Sequence, residues 1–536
     1  MAGRFRPAWP FFGFAAFTAF MLFPQLLRMD SVLDLGDPLF SIWRIGWVYR
    51  QLLGDPRALF DANIFHPEPL TFAYSDSMLL PALAAAPLLA AGVHPVVTYN
   101  ILLVGSFYLS AVATYFLVRE LTDSRPAAFV AGLIFAFYPF RFEHYSHLEL
   151  LMGFWMPLAL LALHRFAATA RIGWAAAAAA CAVAQLYSSM YLALFFGGYA
   201  VIVTAGLAFR HRAQLRALIP GALLAAVIVS ACAMPLSRAY SANPEVAGGR
   251  DAPEVEHYSA TRLDFLRAQK HSPTWAHRTP PGRMVERTLF PGLMAPVLAC
   301  IGLFPPAGAV GVAYGAGLLF AYEAAHGSNG YVFPVLARLP PFRSIRVPAR
   351  FSLLVGLSLA ILAGFGTRRL LRHAGPPRVS LTIGILALAI AIDLRSTLAL
   401  QPVWRRPPPL YASLPEDAVL AELPALGEQG QFSSIPYLYF SVWHGRAMIN
   451  GYSGYSPAWY PAVAGAIDTT FLPGSLEALR KQGATHLTVN CALFRVGGYP
   501  DRCPHVIAAL DALPALSMVS RASWEGEPVV VYRIVR

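Results

Sequence analysis

Charge is what this sequence has least of. Of its 536 residues only 13% are Asp, Glu, Lys or Arg, while 57% are hydrophobic and the mean hydropathy is +0.51. A soluble domain carries about 25% charge, so a water-soluble multidomain chain is excluded and lipid is the expected solvent. Cysteine is scarce as well, at five residues, which excludes a disulfide-rich scaffold. Cys181, Cys232 and Cys300 fall inside apolar runs and read as small buried residues. Cys491 and Cys503 lie in a polar C-terminal region, and whether they pair stays open in the sequence. Ionisable residues are nearly missing from the apolar runs, and no inverted repeat is found. Both absences argue against a transporter, which should break or charge its helices near the midplane.

The basic excess is not a nucleic-acid signal. The net charge of +12 comes almost wholly from Arg, much of it in short polar gaps between apolar runs. That is the pattern of cytoplasmic loops fixing a membrane topology. Residues 9–27 are long enough to span and follow Arg4 and Arg6, so the N-terminus is expected in the cytoplasm. The stretch 78–93 carries Pro81 and Pro87 and is sixteen residues long. At about 1.5 Å per residue it reaches about 24 Å, short of a hydrocarbon core of about 30 Å. Treating it as re-entrant or interfacial places Arg119, Arg125, Arg165, Arg171, Arg210, Arg212 and Arg216 on the inside.

The remaining apolar runs are 96–118, 127–140, 148–166, 173–188, 190–209, 217–236, 289–304, 307–322, 351–371 and 379–400. With the first, they make about eleven helices. Residues 1–400 then form an α-helical polytopic membrane domain with extracytoplasmic loops at about 28–77, 237–288 and 325–350. Residues 401–536 form a small extracytoplasmic α/β domain after the linker "PVWRRPPPL". There, "AVLAEL", "THLTVN" and "VVVYRIV" read as strands and "GSLEALRKQG" as a short helix ending at Gly483.

The chemistry gathers on the outer side. "SVLDLGDPLFSIWR" places Asp34 and Asp37 soon after the first span, with Pro38 opening a helix. Leu39, Ile42, Trp43, Gly46, Trp47 and Arg50 recur at three- and four-residue spacing, which reads as an interfacial helix with Arg44 and Arg50 snorkelling. Asp37 has a plain alternative role as a helix cap. "LARLPPFRSIRVPARF" carries Arg338, Arg343, Arg346 and Arg350 on the outer side, where positive charge asks for an anionic partner. Lipid headgroups or loop carboxylates would meet that need equally. "YPFRFEHYSHLELL" collects Arg141, Glu143, His144, His147 and Glu149 on the same side. Its histidines are either metal ligands with a nearby carboxylate or hydrogen-bonded polar tips. His66, Glu68 and Asp76 follow in the first loop.

This order of features resembles the GT-C glycosyltransferases, polytopic enzymes that take a sugar from a polyprenyl-phosphate donor and include the aminoarabinose transferases and protein O-mannosyltransferases. "YFLVRELTDSRPAAFVAGLIFAFYPF" (115–140) looks like the second helix, basic turn and third helix of that family. "FRSIRVPARF" (342–351) and "NGYSGYSPAWY" (450–460) are similar to elements of its bacterial members. The resemblance implies an inverting transferase of the bacterial inner membrane with a periplasmic C-terminal domain. It maps the catalytic acid of the first loop onto Asp37, with Asp34 second. Arg338, Arg343, Arg346 and Arg350 are then expected on the donor phosphate. Arg141, Glu143, His144, His147, Glu149, His66, Glu68 and Asp76 form a second tier near the active-site mouth. The expected partners are a polyprenyl-phosphate sugar, a glycan, lipid or protein acceptor, and membrane lipid, with no nucleic acid. Family members often carry adjacent acids where Gly36 precedes Asp37 here, so use of a divalent metal ion is left open. A saccharide-lipid flippase and a non-catalytic assembly partner in cell-envelope glycan synthesis remain the alternatives.

Overall fold

The computed structural model describes residues 8–280, 282, 284–305, 308–425, 434–465 and 474–535. The chain folds into two compact units, each assembled from separated stretches. One comprises residues 1–28, 101–236 and 249–399, and the other 29–100, 237–248 and 400–536.

The first unit is helical. Among the described residues, six helices are long and apolar enough to cross a membrane: Pro95–Thr122, Leu148–Thr169, Met190–Arg210, Arg212–Ala242, Pro348–Leu370 and Pro376–Leu394. Shorter apolar helices include Trp9–Met21, Ile172–Ser188, Met294–Leu303 and Ala309–Ala325. Each of the eleven runs read from the sequence contains a helix. Pro348–Leu370 is the centre of this unit, with 94% of its apolar window buried. It packs on Met294–Leu303 through glycines: a Cβ at Gly302 or Gly366 would strike the backbone carbonyl of Leu362 or Leu298 on the facing helix. Close backbone approach at small residues is how helices associate where no hydrophobic effect drives them together. Arg212–Ala242 is the opposite case, with 6% of its window buried. Its exposed Ile219, Leu223 and Val227 suit a lipid surface.

The second unit is built around a sheet. Among the described residues the strands are β1 (Ser31–Val32), β2 (Gln401–Pro402), β3 (Val419–Leu423), β4 (Ala447–Met448), β5 (His486–Asn490), β6 (Leu516–Trp524) and β7 (Glu527–Ile534). β1 and β2 pair with each other, and the rest form one mixed sheet in the order β4-β3-β5-β7-β6. β3 is parallel to both neighbours, while β7 runs antiparallel to β5 and β6. Glu525 and Gly526 both take positive φ, the geometry of a two-residue turn that matches strand twist. The three expected strands appear as β3, β5 and β7, and the expected helix is Ser475–Lys481, followed by Gly483 at φ +84°. Cys491 and Cys503 are disulfide-bonded. The bond ties the helices Cys491–Val496 and Arg502–Asp511 over a core that includes Leu487, Val489, Phe494 and Val530.

Two sequence expectations fail on tertiary grounds. The helix Asp37–Leu53 does not lie on a surface with one exposed face, because residues 38–48 are all buried. It is enclosed by Leu79–Ala90 and by Ile435–His444, the latter some four hundred residues away in the chain. Arg44 therefore does not snorkel. It is 2% exposed and donates to the Asp76 carbonyl and to Ser41 Oγ at 2.9 Å each. Arg50 donates to the carbonyls of Val442 and Trp443 at 3.0 and 3.1 Å, where a cation meets the negative end of a helix dipole. Asp393 lies buried near the end of the helix Pro376–Leu394. It is 6% exposed and accepts from the backbone N–H of Leu293 and Met294 and from the Trp275 indole, so it caps the start of Met294–Leu303.

Candidate functional site

Asp37 opens its helix but does not occupy the cap position. The N-cap is Gly36, and its N–H is held by Asp34 Oδ1 at 2.8 Å. Asp34 thus closes the turn, and the Asp37 carboxylate stands in the first helical turn, where partial positive charge stabilises it. Asp37 is half-buried and accepts a hydrogen bond from the Tyr452 hydroxyl at 3.4 Å. The Tyr452 ring meets Phe40 edge to face with centroids 5.2 Å apart, which fixes the hydroxyl over the carboxylate. Tyr452 belongs to "NGYSGYSPAWY", which sequence reasoning tied to the family resemblance without seeing in it a partner for the acid. In the same segment Asn450 is structural: its amide bridges the backbone N–H and carbonyl of Glu422 at 2.8 and 2.9 Å.

The second-tier residues of this unit are His66, Glu68 and Asp76. His66 and Glu68 line a cavity of about 400 Å³ with Trp47, Asp61 and Asn63. Glu68 Oε2 accepts from the Trp459 indole at 3.0 Å, and burial lowers the His66 pKa. Asp76 contributes its carbonyl to Arg44. Its carboxylate acts electrostatically on half-buried Tyr240.

In the helical unit the four loop arginines divide. Arg338 and Arg343 are exposed, Arg346 is half-buried and Arg350 is 7% exposed. Arg350 Nε donates to Glu286 Oε1 at 3.0 Å, so its charge is met inside the protein. Glu286 Oε2 lies 2.7 Å from His144 Nε2, and His144 Nδ1 lies 2.9 Å from the Phe140 carbonyl. Burial alone would raise the Glu286 pKa, but the Arg350 and His144 charges hold it well below the usual carboxylate range. Glu286, which sequence reasoning passed over, therefore links the 237–288 loop to both arginine- and histidine-bearing segments. No signal in "RMVERTLF" distinguishes it from a solvated glutamate.

Arg346 sits 3.8 Å from Glu254 with its guanidinium over the Tyr258 ring, and its backbone N–H donates to the Tyr191 hydroxyl. Arg250, also missed, binds the Arg343 carbonyl through its N–H at 3.1 Å. The segment 249–258 thus packs along 343–349 and brings a further guanidinium to the cationic loop. Arg141 is fully buried, donating to the Ser106 carbonyl at 3.2 Å with its guanidinium over Phe107. Glu143 is half-buried, and burial pushes its carboxyl up to about 7 against the pull of His144 and Lys270. His147 is half-buried and Glu149 buried beside them. Both His144 ring nitrogens are committed to oxygen partners. Among the described residues no group of three His, Cys, Asp or Glu is arranged to hold a metal ion.

The sequence profile of a domain of unknown function, DUF6311, matches residues 13–317. No curated protein matches the chain in sequence. Among solved structures, an arabinofuranosyltransferase from Mycobacteria, AftD, superposes over 98% of this chain and 40% of its own, with a TM-score of 0.58 at 16% identity. A second AftD structure gives a TM-score of 0.62 at 14% identity over 98% and 41%. ArnT from Cupriavidus metallidurans aligns over 97% of both chains, with a TM-score of 0.51 at 13% identity. The chain spans about two fifths of the AftD structures and nearly all of ArnT. These likenesses show the GT-C fold.

Proposed function

For a chain that belongs to the DUF6311 family and has the GT-C fold, we propose a membrane glycosyltransferase. It moves a sugar from a polyprenyl-phosphate donor to an acceptor hydroxyl on the extracytoplasmic face of a bacterial inner membrane. About eleven helices cross the membrane, with the N-terminus inside and the sheet-bearing unit in the periplasm. The Cys491–Cys503 bond supports that placement.

The observation that carries the reading is the state of Asp37. Gly36 is the N-cap and Asp34 holds its N–H, while the Asp37 carboxylate stands in the first helical turn and takes a hydrogen bond from the Tyr452 hydroxyl, which orients it. Asp37 acts as general base. It accepts the acceptor's hydroxyl proton as that oxygen attacks the anomeric carbon, and the bond from that carbon to the phosphate oxygen breaks. The configuration inverts, and the lipid phosphate leaves as an anion needing no general acid. Arg338, Arg343 and Arg346 hold the phosphate charge. Arg350, spent on Glu286, positions the loop that carries them. Asp34 shapes the turn. The acceptor is a glycan, lipid or protein.

The test is transfer of labelled sugar from polyprenyl-phosphate donors in membranes containing the natural chain or Asp37→Asn. The expected result is transfer by the natural chain and loss of at least about a hundredfold in the variant. Full activity in Asp37→Asn removes the base. No transfer from any donor favours the flippase or the assembly partner.

A further inference from the structure

The cavity beside His66 lies well away from Asp37. Trp47 stands ten residues beyond Asp37 on one helix, a separation of about 15 Å along the axis. Its walls are firmly built. Phe65 and His66 donate backbone N–H groups to the carbonyls of Asn450 and Met448 at 3.1 and 2.9 Å, and Met448 returns one to the Asn63 carbonyl at 2.9 Å. The Asn63 amide donates to the Arg446 carbonyl and accepts from the Trp43 indole, each at 3.1 Å. The Trp47 indole N–H is taken by the Leu59 carbonyl at 2.9 Å. These bonds hold the first loop against the segment 446–450 as though it were another strand.

The groups with capacity to spare are mostly acceptors. Asp61 Oδ1 accepts from the Leu70 N–H at 2.9 Å and Glu68 Oε2 from the Trp459 indole at 3.0 Å. Each carboxylate therefore keeps a second oxygen to accept from a ligand. The His66 ring makes no hydrogen bond to another described residue, and burial favours its neutral form, which offers one donor and one acceptor. Among the described residues no Lys or Arg lines the cavity, while Asp61, Pro67 and Pro69 are exposed around it. A volume of about 400 Å³ falls within the roughly 300–1,000 Å³ of small-molecule sites. Acceptors in excess beside a neutral imidazole and an indole suit a molecule rich in hydroxyl donors with an apolar face, and they repel anions.

We propose that this cavity is a binding subsite for an uncharged saccharide. Asp61 and Glu68 accept its hydroxyls, and His66 and Trp47 lie against the ring. The subsite engages the acceptor glycan at a sugar remote from the one that is extended. It rests on the glycosyltransferase reading only in naming that saccharide an acceptor, since binding requires no catalysis.

The experiment measures binding of fluorescently labelled short arabinan, mannan and glucan oligosaccharides to the purified full-length chain in detergent, with oligouronates as the anionic comparison. The variants are Asp61→Asn and Glu68→Gln, singly and together. Each retains an oxygen to accept the Leu70 or Trp459 N–H, and melting temperature is recorded for each. At least one neutral oligosaccharide should bind and the oligouronates should not. The double variant should bind about tenfold or more weakly at an unchanged melting temperature. Asp37→Asn should bind as the natural chain does while failing to transfer sugar. Absence of binding by every neutral oligosaccharide, equal binding of oligouronates, or natural affinity in the double variant overturns the subsite. Failure of sugar transfer with the binding pattern intact overturns only the catalytic reading.

Discussion

Glu422 offers a quantitative test of the sheet-bearing unit. It lies on β3, is fully buried, and takes hydrogen bonds from the Tyr411 hydroxyl at 2.8 Å and from Thr488 on one oxygen. The other oxygen has no partner among the described residues. Burial pushes the carboxyl from 4.5 up to about 8, with Tyr411 opposing. The folded chain therefore holds this proton more tightly than the unfolded chain does. The resulting stabilisation is complete below pH 4.5, declines as pH rises through the interval to 8 and is gone above it. At about 1.4 kcal/mol per pH unit, the loss across that interval is about 5 kcal/mol. For a domain of this size each kcal/mol moves the melting temperature by about 2–4 °C, so the swing is roughly 10–20 °C. Glu422→Gln keeps an oxygen for Tyr411 and Thr488 but cannot ionise. Melting of the full chain in detergent between pH 5 and 9 should show the natural chain losing stability along that slope and the variant flat by comparison. Parallel curves for the two would refute the argument, because they would mean that Glu422 ionises as easily folded as unfolded.

Three further outcomes rest on individual contacts in the structure. Glu286→Gln leaves Arg350 and His144 facing a neutral amide, and removing one partner of a buried ion pair costs about 3–5 kcal/mol. Thermal melting should show that loss, and the double variant Glu286→Gln with Arg350→Met should recover part of it. Tyr452→Phe removes the hydroxyl that orients Asp37; a bond of 3.4 Å is worth about 1 kcal/mol, so kcat should fall about fivefold with KM little changed. Equal losses in kcat and stability would mark Tyr452 as structural instead. Gly366→Ala places a methyl against the Leu298 carbonyl and should destabilise the helical unit by about 1–3 kcal/mol. Gly105→Ala, which meets nothing within 4 Å, should be neutral or slightly stabilising.

Composition and periodicity by themselves determined a helical, lipid-solvated body and the strands β3, β5 and β7. Those features depend on solvent preference and on spacing a few residues long, and both are local. The first loop shows where that locality ends. The apolar spacing of Trp43 and Trp47 marks a helix correctly but says nothing of how many sides are covered, and Ile435–His444 covers the side that was expected to meet lipid. Arg350 shows the same limit for charge. The sequence displays four arginines alike, and only tertiary structure sets Glu286 against one of them while leaving Arg338 and Arg343 exposed. Asp37 and Tyr452 lie 415 residues apart, so whether the acid caps a helix or faces a hydroxyl was decided by folding. Partners of a buried charge are chosen by the geometry of the assembled chain, because the cost of desolvation is met only by groups brought within a few ångströms.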